Sequence, residues 1–337
     1  MKTEMNEEEI TKLALKRRNR RVLLAVLLAL SLMAAASLWI VYQMEKAEAH
    51  ARYMGIKNVS AERVAKIIRG AEMNANNIFE EVGKSLDSPE AVINALRSKA
   101  NLNLDVRGYF AAFMPNYFPE KGTWFEPYIY QPEYGGFEFR QVGSARHNYT
   151  KSPWFVRAQQ SGASFWSDPY YYYDGTSVSG YYCTFVKPVY DEKGNLACIC
   201  GADIKFEWLA KEMEWIDEVS KNNKLLNLYQ PMTEFEFRTV ILNKDGTCLV
   251  QPGDDPITIT DEGMLKDLMQ KKSGIIDMDI DGTPCTVYYS PIEFIDWTVA
   301  VITPVQDILK PMLPTALFLF VTMLAGMFIV WIVCKIK

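Results

Sequence analysis

The sequence predicts an α+β protein in which two antiparallel sheets are built on a long N-terminal helix, with an apolar helix at each end of the chain. Two apolar runs, 181–189 and 196–204, are separated by a short turn that contains Gly, a pattern typical of a β-hairpin. Residues 45–82 carry a helical hydrophobic repeat. The runs 22–42 and 312–334 contain no charged residue. Together these observations favour sheets held between two membrane-spanning segments.

The first apolar run is long enough to cross a bilayer, because at about 1.5 Å per residue it spans roughly 30 Å. The basic cluster at 16–21 predicts a cytoplasmic N-terminus, and Trp39 and Tyr42 suit the outer interface. A signal peptide cleaved near 34–36 is the alternative. The apolar run continues past those alanines to Val41, which favours an uncleaved anchor.

The second apolar run, 312–334, is flanked by Lys310 and Lys335. It predicts a second span that runs from outside to inside, with Trp331 near the cytoplasmic face. Pro314 falls in the first turn, where a helix tolerates proline.

The long helix is predicted over 45–82, with its apolar residues spaced three, four and seven apart. The residues expected to face the core are Ile56, Val59, Val64, Ile67, Ile68, Met73, Ile78 and Phe79. A short helix over 88–96 begins with a Ser cap and a Pro in its first turn. The long helix would rise directly from the membrane.

The strands fall into two groups. Aromatic and β-branched residues predict strands at 106–114, 124–130 and 137–142, which with the hairpin make about five. A connecting helix at 206–219 and a polar turn at 220–224 follow. The second group repeats the first in shorter form, with strands at 237–243, 247–251, 274–280, 285–290 and 297–303 and a small helix at 261–269.

The segment 152–204 carries the most specific pattern. It contains a helix start at Pro153-Trp154, a bend at 166–170 that reads Trp-Ser-Asp-Pro-Tyr, and a hairpin that ends in Gly201-Ala-Asp-Ile204. This order of parts resembles the membrane-distal half of double Cache domains, the tandem PAS-like sensor modules that bacterial receptors hold outside the membrane. The resemblance implies two PAS-like subdomains on the long helix, which in this family forms the spine and the dimer contact.

The domain organisation expected from these features has eight parts. They are a cytoplasmic basic segment (1–21), a first transmembrane helix (22–43), the long and connecting helices (44–101), a membrane-distal Cache subdomain (102–205), a connecting helix (206–235), a membrane-proximal Cache subdomain (236–309), a second transmembrane helix (312–334) and a cytoplasmic stub (335–337).

The resemblance also implies a small-molecule site in the distal subdomain. By position, Trp154, Tyr170 and Asp203 match residues that contact ligand in the family, whose amino-acid-binding members hold the carboxylate with Arg and Trp and the amino group with acids. Two positions depart, because Ser152 stands where the Arg is expected and Tyr172 where the first Asp is expected. Without a guanidinium, an ordinary α-amino acid is a doubtful ligand.

The missing guanidinium leaves three alternatives open. Arg146, His147 or Lys151 could replace it, the tyrosines of 170–173 with Trp166 could line an apolar pocket that has hydroxyl groups, or the aromatic residues could be sheet core. The predicted ligand-binding residues are Trp154, Tyr170, Tyr172, Asp203, Trp166, His147 and Lys151.

The composition limits which partners and metal ions are expected. The region between the apolar runs carries about ten more acidic than basic residues, so nucleic acid is not an expected partner. Only two His are present, and the Cys198-x-Cys200 spacing does not suit zinc, so no metal or cofactor is expected. The positions of the cysteines are as consistent with buried free thiols as with a disulfide. The stretch 277–282 resembles half of a calcium loop, but Tyr288 replaces the bidentate Glu, which favours a hairpin turn.

The predicted function is a membrane-anchored extracytoplasmic small-molecule sensor of the bacterial inner membrane, with the bilayer and a second copy of the chain as partners. The sequence contains none of the common catalytic motifs, so enzymatic activity is not expected. A docking scaffold for a periplasmic protein is the alternative, and an extracytoplasmic enzyme that uses Asp203 or Asp168 is a more remote one. Receptors of this family normally continue into an output domain. Both a truncated chain and a short receptor that signals through a partner remain open.

Overall fold

The computed structural model describes residues 7–132, 135–173, 179–221, 236–250, 257–310 and 312–336. The helices are α1 (Glu7–Lys84), α2 (Pro89–Ser98), α3 (Pro153–Ser161), α4 (Phe206–Lys221), α5 (Glu262–Met269), α6 (Val305–Leu309) and α7 (Met312–Ile336). The strands are β1 (Gly108–Phe113), β2 (Pro127–Tyr130), β3 (Glu138–Gln141), β4 (Phe165–Trp166), β5 (Tyr170–Tyr173), β6 (Ser179–Tyr190), β7 (Leu196–Lys205), β8 (Arg238–Asn243), β9 (Cys248–Val250), β10 (Gly274–Ile280), β11 (Thr283–Pro291) and β12 (Trp297–Pro304).

The strands form two antiparallel sheets. In the described ranges, the distal sheet has the order β3-β2-β1-β7-β6-β4, with β5 also paired to β6. The proximal sheet has the order β10-β11-β12-β8-β9. The predicted α+β class and the two sheets are therefore confirmed. The distal sheet has more strands than the five expected, because the residues on either side of the predicted bend pair with β6 as β4 and β5.

The predicted hairpin is present at the centre of the distal sheet. β6 pairs with β7 from Tyr182 opposite Lys205 to Tyr190 opposite Leu196. The carboxylate of Asp191 accepts hydrogen bonds from the backbone N–H groups of Lys193 and Asn195, which closes the turn. The predicted hairpin turn at 277–282 is also present, between β10 and β11.

The long helix differs from the prediction in length and in register. The predicted first span and the long helix are one continuous helix, because no proline interrupts residues 7–84. Val59 and Met73, both expected in the core, are 58% and 63% exposed. The buried face instead follows Ile56, Val64 and Ile68, and continues through the small residues Ala71 and Ala75, which the apolar pattern did not select.

One core joins the two sheets. It contains the inner faces of α1, α2 and α4, one face of the distal sheet, and residues such as Ile241 and Trp297 of the proximal sheet. A second cluster packs α5 on the opposite face of the proximal sheet. The predicted subdomain boundaries stay predictions, and the polar turn expected at 220–224 and the end of the connecting segment up to residue 235 fall largely outside the described residues.

Two of the described helices, α1 and α7, contain stretches long and apolar enough to cross a membrane. The two helices contact each other, and the Oγ of Ser31 lies 4.0 Å from the sulfur of Met323. Among the described cysteines, Cys183, Cys198, Cys200, Cys248 and Cys285 are all free thiols. Of the two alternatives for the cysteines, the structure has free thiols, of which Cys248 is half-buried and the other four are buried.

Candidate ligand-binding site

A cavity of about 480 Å³ lies on the face of the distal sheet that points away from α1. The start of α3, β5 and the loops next to them cover the sheet there. The residues that line the cavity are Phe110, Glu126, Tyr128, Val142, His147, Ser152, Pro153, Trp154, Arg157, Phe165, Ser167, Asp168, Pro169, Tyr170, Tyr171, Tyr172 and Asp203. Its size suits a small organic molecule.

The alternation of side chains along the strands explains which residues reach the cavity. In β1, Tyr109 and Ala111 pack toward α1, whereas Phe110 faces the cavity. In β7, Ala202 and Ile204 pack toward α1, and Asp203 between them faces the cavity. The hairpin therefore places an acidic side chain on the sheet face that lines the cavity.

The floor of the cavity requires glycine at position 201. A Cβ atom on Gly201 would lie 2.1 Å from Cζ of Phe110, a ring that is itself packed against Trp154 at 5.1 Å between centroids. A side chain at this position would push Phe110 into the cavity.

Gly201→Ala is therefore expected to destabilise the protein by about 1–3 kcal/mol, because Phe110 must leave its packed position. Thermal melting of the full chain in detergent measures the change. Gly136→Ala is the matched control, since nothing lies within 4 Å of a Cβ there. Equal melting temperatures for the two variants would contradict the close approach of Phe110.

Asp203 is the centre of a buried hydrogen-bond network. Its carboxylate accepts hydrogen bonds from Thr184 Oγ1 at 2.6 Å and from Tyr128 Oη at 3.1 Å. The hydroxyl of Tyr170 lies 2.7 Å from that of Thr184 and extends the network. Burial raises the pKa of Asp203 to about 6, although the two hydroxyl donors partly oppose this shift.

Glu126, immediately before β2, is a second buried carboxyl group and is only 4% exposed. Within the part of the chain that the structure describes, its Oε2 atom has no hydrogen-bond partner. His147 Nε2 is 3.6 Å away, too far for a hydrogen bond. Burial, and next the neighbouring Asp203, raise the pKa of Glu126 well above its ordinary value.

Aromatic rings form most of the remaining wall. Trp154 packs on Phe110, and the ring of Tyr172 meets His147 edge-on at 5.5 Å. Tyr128 lies edge-on to Phe110 at 6.4 Å. Rings in these arrangements present both apolar faces and hydroxyl groups to a bound molecule.

Helix α3 positions the entrance. Pro153 is its first residue, and the φ restriction of proline favours a helix start there. Trp154 follows and faces the cavity. One turn later the exposed Arg157 places its guanidinium 3.9 Å from the centre of the Phe165 ring. Arg157 thus packs over an aromatic ring at the rim.

The structure brings most of the predicted site residues together, but not all. Trp154, Tyr170, Tyr172, Asp203 and His147 line the cavity. Trp166 and Lys151 do not. Trp166 follows Phe165 in β4 and therefore points to the opposite face, where its ring lies 5.5 Å from that of Phe185. Lys151 is exposed at the end of a short 3₁₀ helix.

Sequence reasoning missed Glu126 and Tyr128 as site residues. Glu126 could have been selected from the sequence, because it is a charged residue inside an aromatic run whose pattern predicts a buried strand. Arg157 was also missed, since its approach to the cavity depends on how α3 packs on the sheet. Arg146, one of the three suggested replacements for the missing guanidinium, is exposed and does not line the cavity.

The arrangement offers hydrogen bonding and negative charge to a bound molecule. Among the residues that the structure describes, no group of three or more His, Cys, Asp or Glu side chains could hold a metal ion. The cavity combines two buried carboxyl groups with aromatic walls, which suits the reversible binding of a small polar or cationic molecule.

Comparison with protein families matches residues 92–211 to the family described as methyl-accepting chemotaxis protein-like, first PDC sensor domain. The match contains the strands and loops of the cavity. No curated protein matches the chain.

Several solved structures share the fold. The extracellular domain described as that of a histidine kinase, soHK1S-Z6, superposes with a TM-score of 0.62 at 18% identity, covering 80% of this chain and 99% of that one. The periplasmic sensory domain of the Campylobacter jejuni chemoreceptor Tlp1 gives 0.61 at 14% identity, covering 77% and 96%. The ligand-binding domain of the C. jejuni chemoreceptor Tlp3, in complex with L-norvaline, gives 0.52 at 13% identity, covering 80% and 95%.

The resemblance to tandem PAS-like sensor domains predicted from the sequence is confirmed for the fold. Two apolar helices flank this fold, which is the arrangement of a membrane protein with an extracellular domain.

Proposed function

We propose that residues 44–309 form a double Cache-type sensor ectodomain. On this premise, the chain is a non-catalytic small-molecule receptor of the bacterial inner membrane. The observation that carries the proposal is the cavity beside Asp203. It is of ligand size and contains buried polar groups, and it lies in the segment that matches a sensor-domain family.

A ligand-binding role is further supported by a relative of the same fold. The Tlp3 domain was solved with L-norvaline and also with isoleucine, so that protein binds amino acids. The identity to this chain is low, and Ser152 occupies the place of the expected Arg. The support extends to the presence of a ligand and not to its identity.

The sheet that forms the cavity floor is in direct contact with α1, which gives a route for the signal. On the face opposite the cavity, Phe185 of β6 stacks on Phe79 of α1, with 6.4 Å between ring centroids. Lys187 Nζ donates a hydrogen bond to Asn76 Oδ1 at 2.7 Å. A shift of the hairpin on ligand binding would therefore move α1 relative to the proximal sheet.

The proximal sheet leads into the second span. β12 ends at Pro304, and the short helix α6 then connects it to α7. Asp307 in α6 is 1% exposed, accepts a hydrogen bond from the backbone N–H of Glu236 and pairs with Lys310 Nζ at 2.7 Å. This anchored junction would pass the displacement to the membrane, and couplings of about 1–3 kcal/mol are typical of such transitions.

Orientation and assembly complete the proposal. The basic cluster at 16–21 supports an orientation in which both flanking segments face the cytoplasm and the cavity lies outside. The dimer would form through the outer face of α1, where Val59 and Met73 are exposed.

A thermal-shift screen of the full chain in lipid nanodiscs tests the proposal. Amino acids, organic acids, amines, purines and sugars are the probes. At about 100 times its Kd a specific ligand stabilises the protein by roughly 2.7 kcal/mol. A screen in which no class raises the melting temperature would contradict the receptor function and favour a docking scaffold.

Trp154→Ala tests whether the hit binds in this cavity. The variant is expected to lose most of the ligand-induced shift, because Trp154 forms the wall beside Phe110. Trp215→Ala is the matched control, since Trp215 is 55% exposed on α4, away from the cavity lining. A ligand shift that survives in Trp154→Ala would place binding elsewhere.

A further inference from the structure

We propose that the cavity takes a small organic ammonium ion that carries no carboxylate, held by Glu126 and Asp203 between aromatic rings. This inference rests on the proposed receptor function and specifies its ligand class.

The Oε2 atom of Glu126 is a buried acceptor that has no donor within the part of the chain that the structure describes. The carboxyl group of Glu126 is almost inaccessible and lines the cavity. Leaving such a group unsatisfied is unfavourable, so proteins rarely keep one without a reason. An ammonium group in the cavity would donate the missing hydrogen bond and supply the opposite charge.

Asp203 adds a second carboxyl group close enough to disfavour the charged form of Glu126 electrostatically. Its oxygens already accept two hydroxyl hydrogen bonds, which fix the orientation of the carboxylate. A ligand cation shared by the two groups would relieve their mutual repulsion. Among the described residues, no Lys, Arg or His nitrogen lies within hydrogen-bond distance of these two neighbouring acids, and His147 Nε2 is 3.6 Å from Glu126, so the acids form a site for a positively charged group.

The walls favour an organic cation over a metal ion. The rings of Trp154, Phe110, Tyr128 and Tyr172 surround the space beside the acids. Faces of such rings attract ammonium groups within about 6 Å and also bury the attached carbon chain. A hard metal ion would instead require several oxygen ligands and water.

Among the described lining residues, positive charge is limited to Arg157 and, when protonated, His147. Ser152 replaces the Arg that the resemblance implies. The only guanidinium among the described lining residues belongs to Arg157, which is exposed and packs over Phe165 at the rim. Glu126, Asp168 and Asp203 give the lining more acidic than basic groups, even with His147 protonated. An α-carboxylate placed beside an ammonium bound here would meet that negative charge.

Matched ligands test the inference on the full chain in nanodiscs. The probes form two series: 2-phenylethylamine, L-phenylalanine and 3-phenylpropionate, and isoamylamine, L-leucine and 4-methylpentanoate. Within each series the carbon skeleton is kept while the ammonium or the carboxylate is removed. Isothermal titration at pH 7.5 is expected to show that an amine binds at least 10-fold more tightly than its amino acid, and that the acids do not bind.

The outcomes separate this inference from the receptor function. If an amino acid or an acid binds more tightly than the matched amine, the inference is wrong and the receptor function stands. If no amine binds but another class of compound from the broad screen does, the inference is again wrong and the receptor function again stands. If nothing binds, both fail.

Glu126→Gln tests the role of the missed carboxyl group. The variant keeps the size of the side chain and removes its charge, so the affinity for the amine probe is expected to fall by about 10-fold or more. Glu120→Gln is the control, because Glu120 is exposed in the same region, outside the cavity lining. Far-UV circular dichroism and melting without ligand show that the variant is folded. Unchanged amine affinity in a folded Glu126→Gln protein would overturn the assignment of Glu126.

Discussion

Asp203→Asn is expected to lower the affinity for a cationic ligand by about 100-fold or more. Breaking a buried charge pair by removing one partner typically costs about 3–5 kcal/mol. Asparagine keeps the shape of the side chain and a carbonyl oxygen that can still accept from Thr184 or Tyr128, so the loss would come mainly from the charge. Titration of the amine probe at pH 7.5 measures the effect.

The same variant is expected to change how stability depends on pH. Burial raises the pKa of Asp203 from 3.8 to about 6 in the folded protein, so folding favours its protonated form. The contribution of Asp203 to the free energy of unfolding is therefore complete below about pH 4 and is lost as the pH rises to about 6. The free energy of unfolding should fall by about 3 kcal/mol over this range. Melting curves of the unliganded wild type from pH 4 to 8 should show this decrease, and Asp203→Asn should lack it.

The surrounding groups decide how the result is interpreted. Glu126, Tyr128 and Tyr170 face Asp203 from neighbouring strands, and Asp168 and His147 line the same cavity. Burial also raises the pKa of Glu126, so it contributes in the same direction. Glu126→Gln should remove a separate part of the decrease. If Asp203→Asn keeps the full decrease in stability and also keeps amine affinity, Asp203 is not the buried charge of the site.

Phe79→Ala is expected to destabilise the protein by about 3–5 kcal/mol, the usual cost of removing a buried phenylalanine. Phe79 is 1% exposed and stacks on Phe185 behind the cavity. For a domain of this size the melting temperature should fall by about 10 °C. Thermal denaturation of the full chain followed by circular dichroism measures the change.

Leu102→Ala is the control for Phe79→Ala, because Leu102 lies outside α1 and the proposed dimer face. Leu102 is 72% exposed, so its truncation should change stability by about 0.5 kcal/mol or less. Equal effects of the two variants would mean that α1 is not packed on the distal sheet. The proposed route from the cavity to the membrane would then lose its first step.

The sequence predicted the fold well where local chemistry decides the structure. The hairpin around Asp191, the cap and proline of α2 and the uncharged runs at both ends depend on residues close together in the chain. The outward turn of Val59 and Met73 and the pairing of β4 and β5 were not predicted. Both depend on which surface packs against which, and an apolar residue by itself does not reveal that.

The residues of the candidate site also fall into those that the sequence predicted and those that it did not. Trp154, Tyr170, Tyr172, Asp203 and His147 could be selected from the sequence because they lie in or beside the segment that resembles a known sensor.

Glu126 immediately precedes β2, outside the hairpin, and lines the cavity only because β2 pairs with β1 beside β7. Trp166 was expected to line the cavity but lies on the opposite face of the distal sheet, because neighbouring residues in a strand point to opposite faces.

The sequence by itself determined that this chain has two antiparallel sheets on a long helix between two apolar segments, with an aromatic and acidic stretch in the distal half. Only the tertiary structure decided which of those side chains share one enclosed space. The reason is physical, because a turn or a membrane span is fixed by neighbouring residues, whereas a cavity is formed by strands and loops that are distant in sequence. That Glu126 Oε2 has no hydrogen-bond donor among the described residues becomes visible only once those strands are paired.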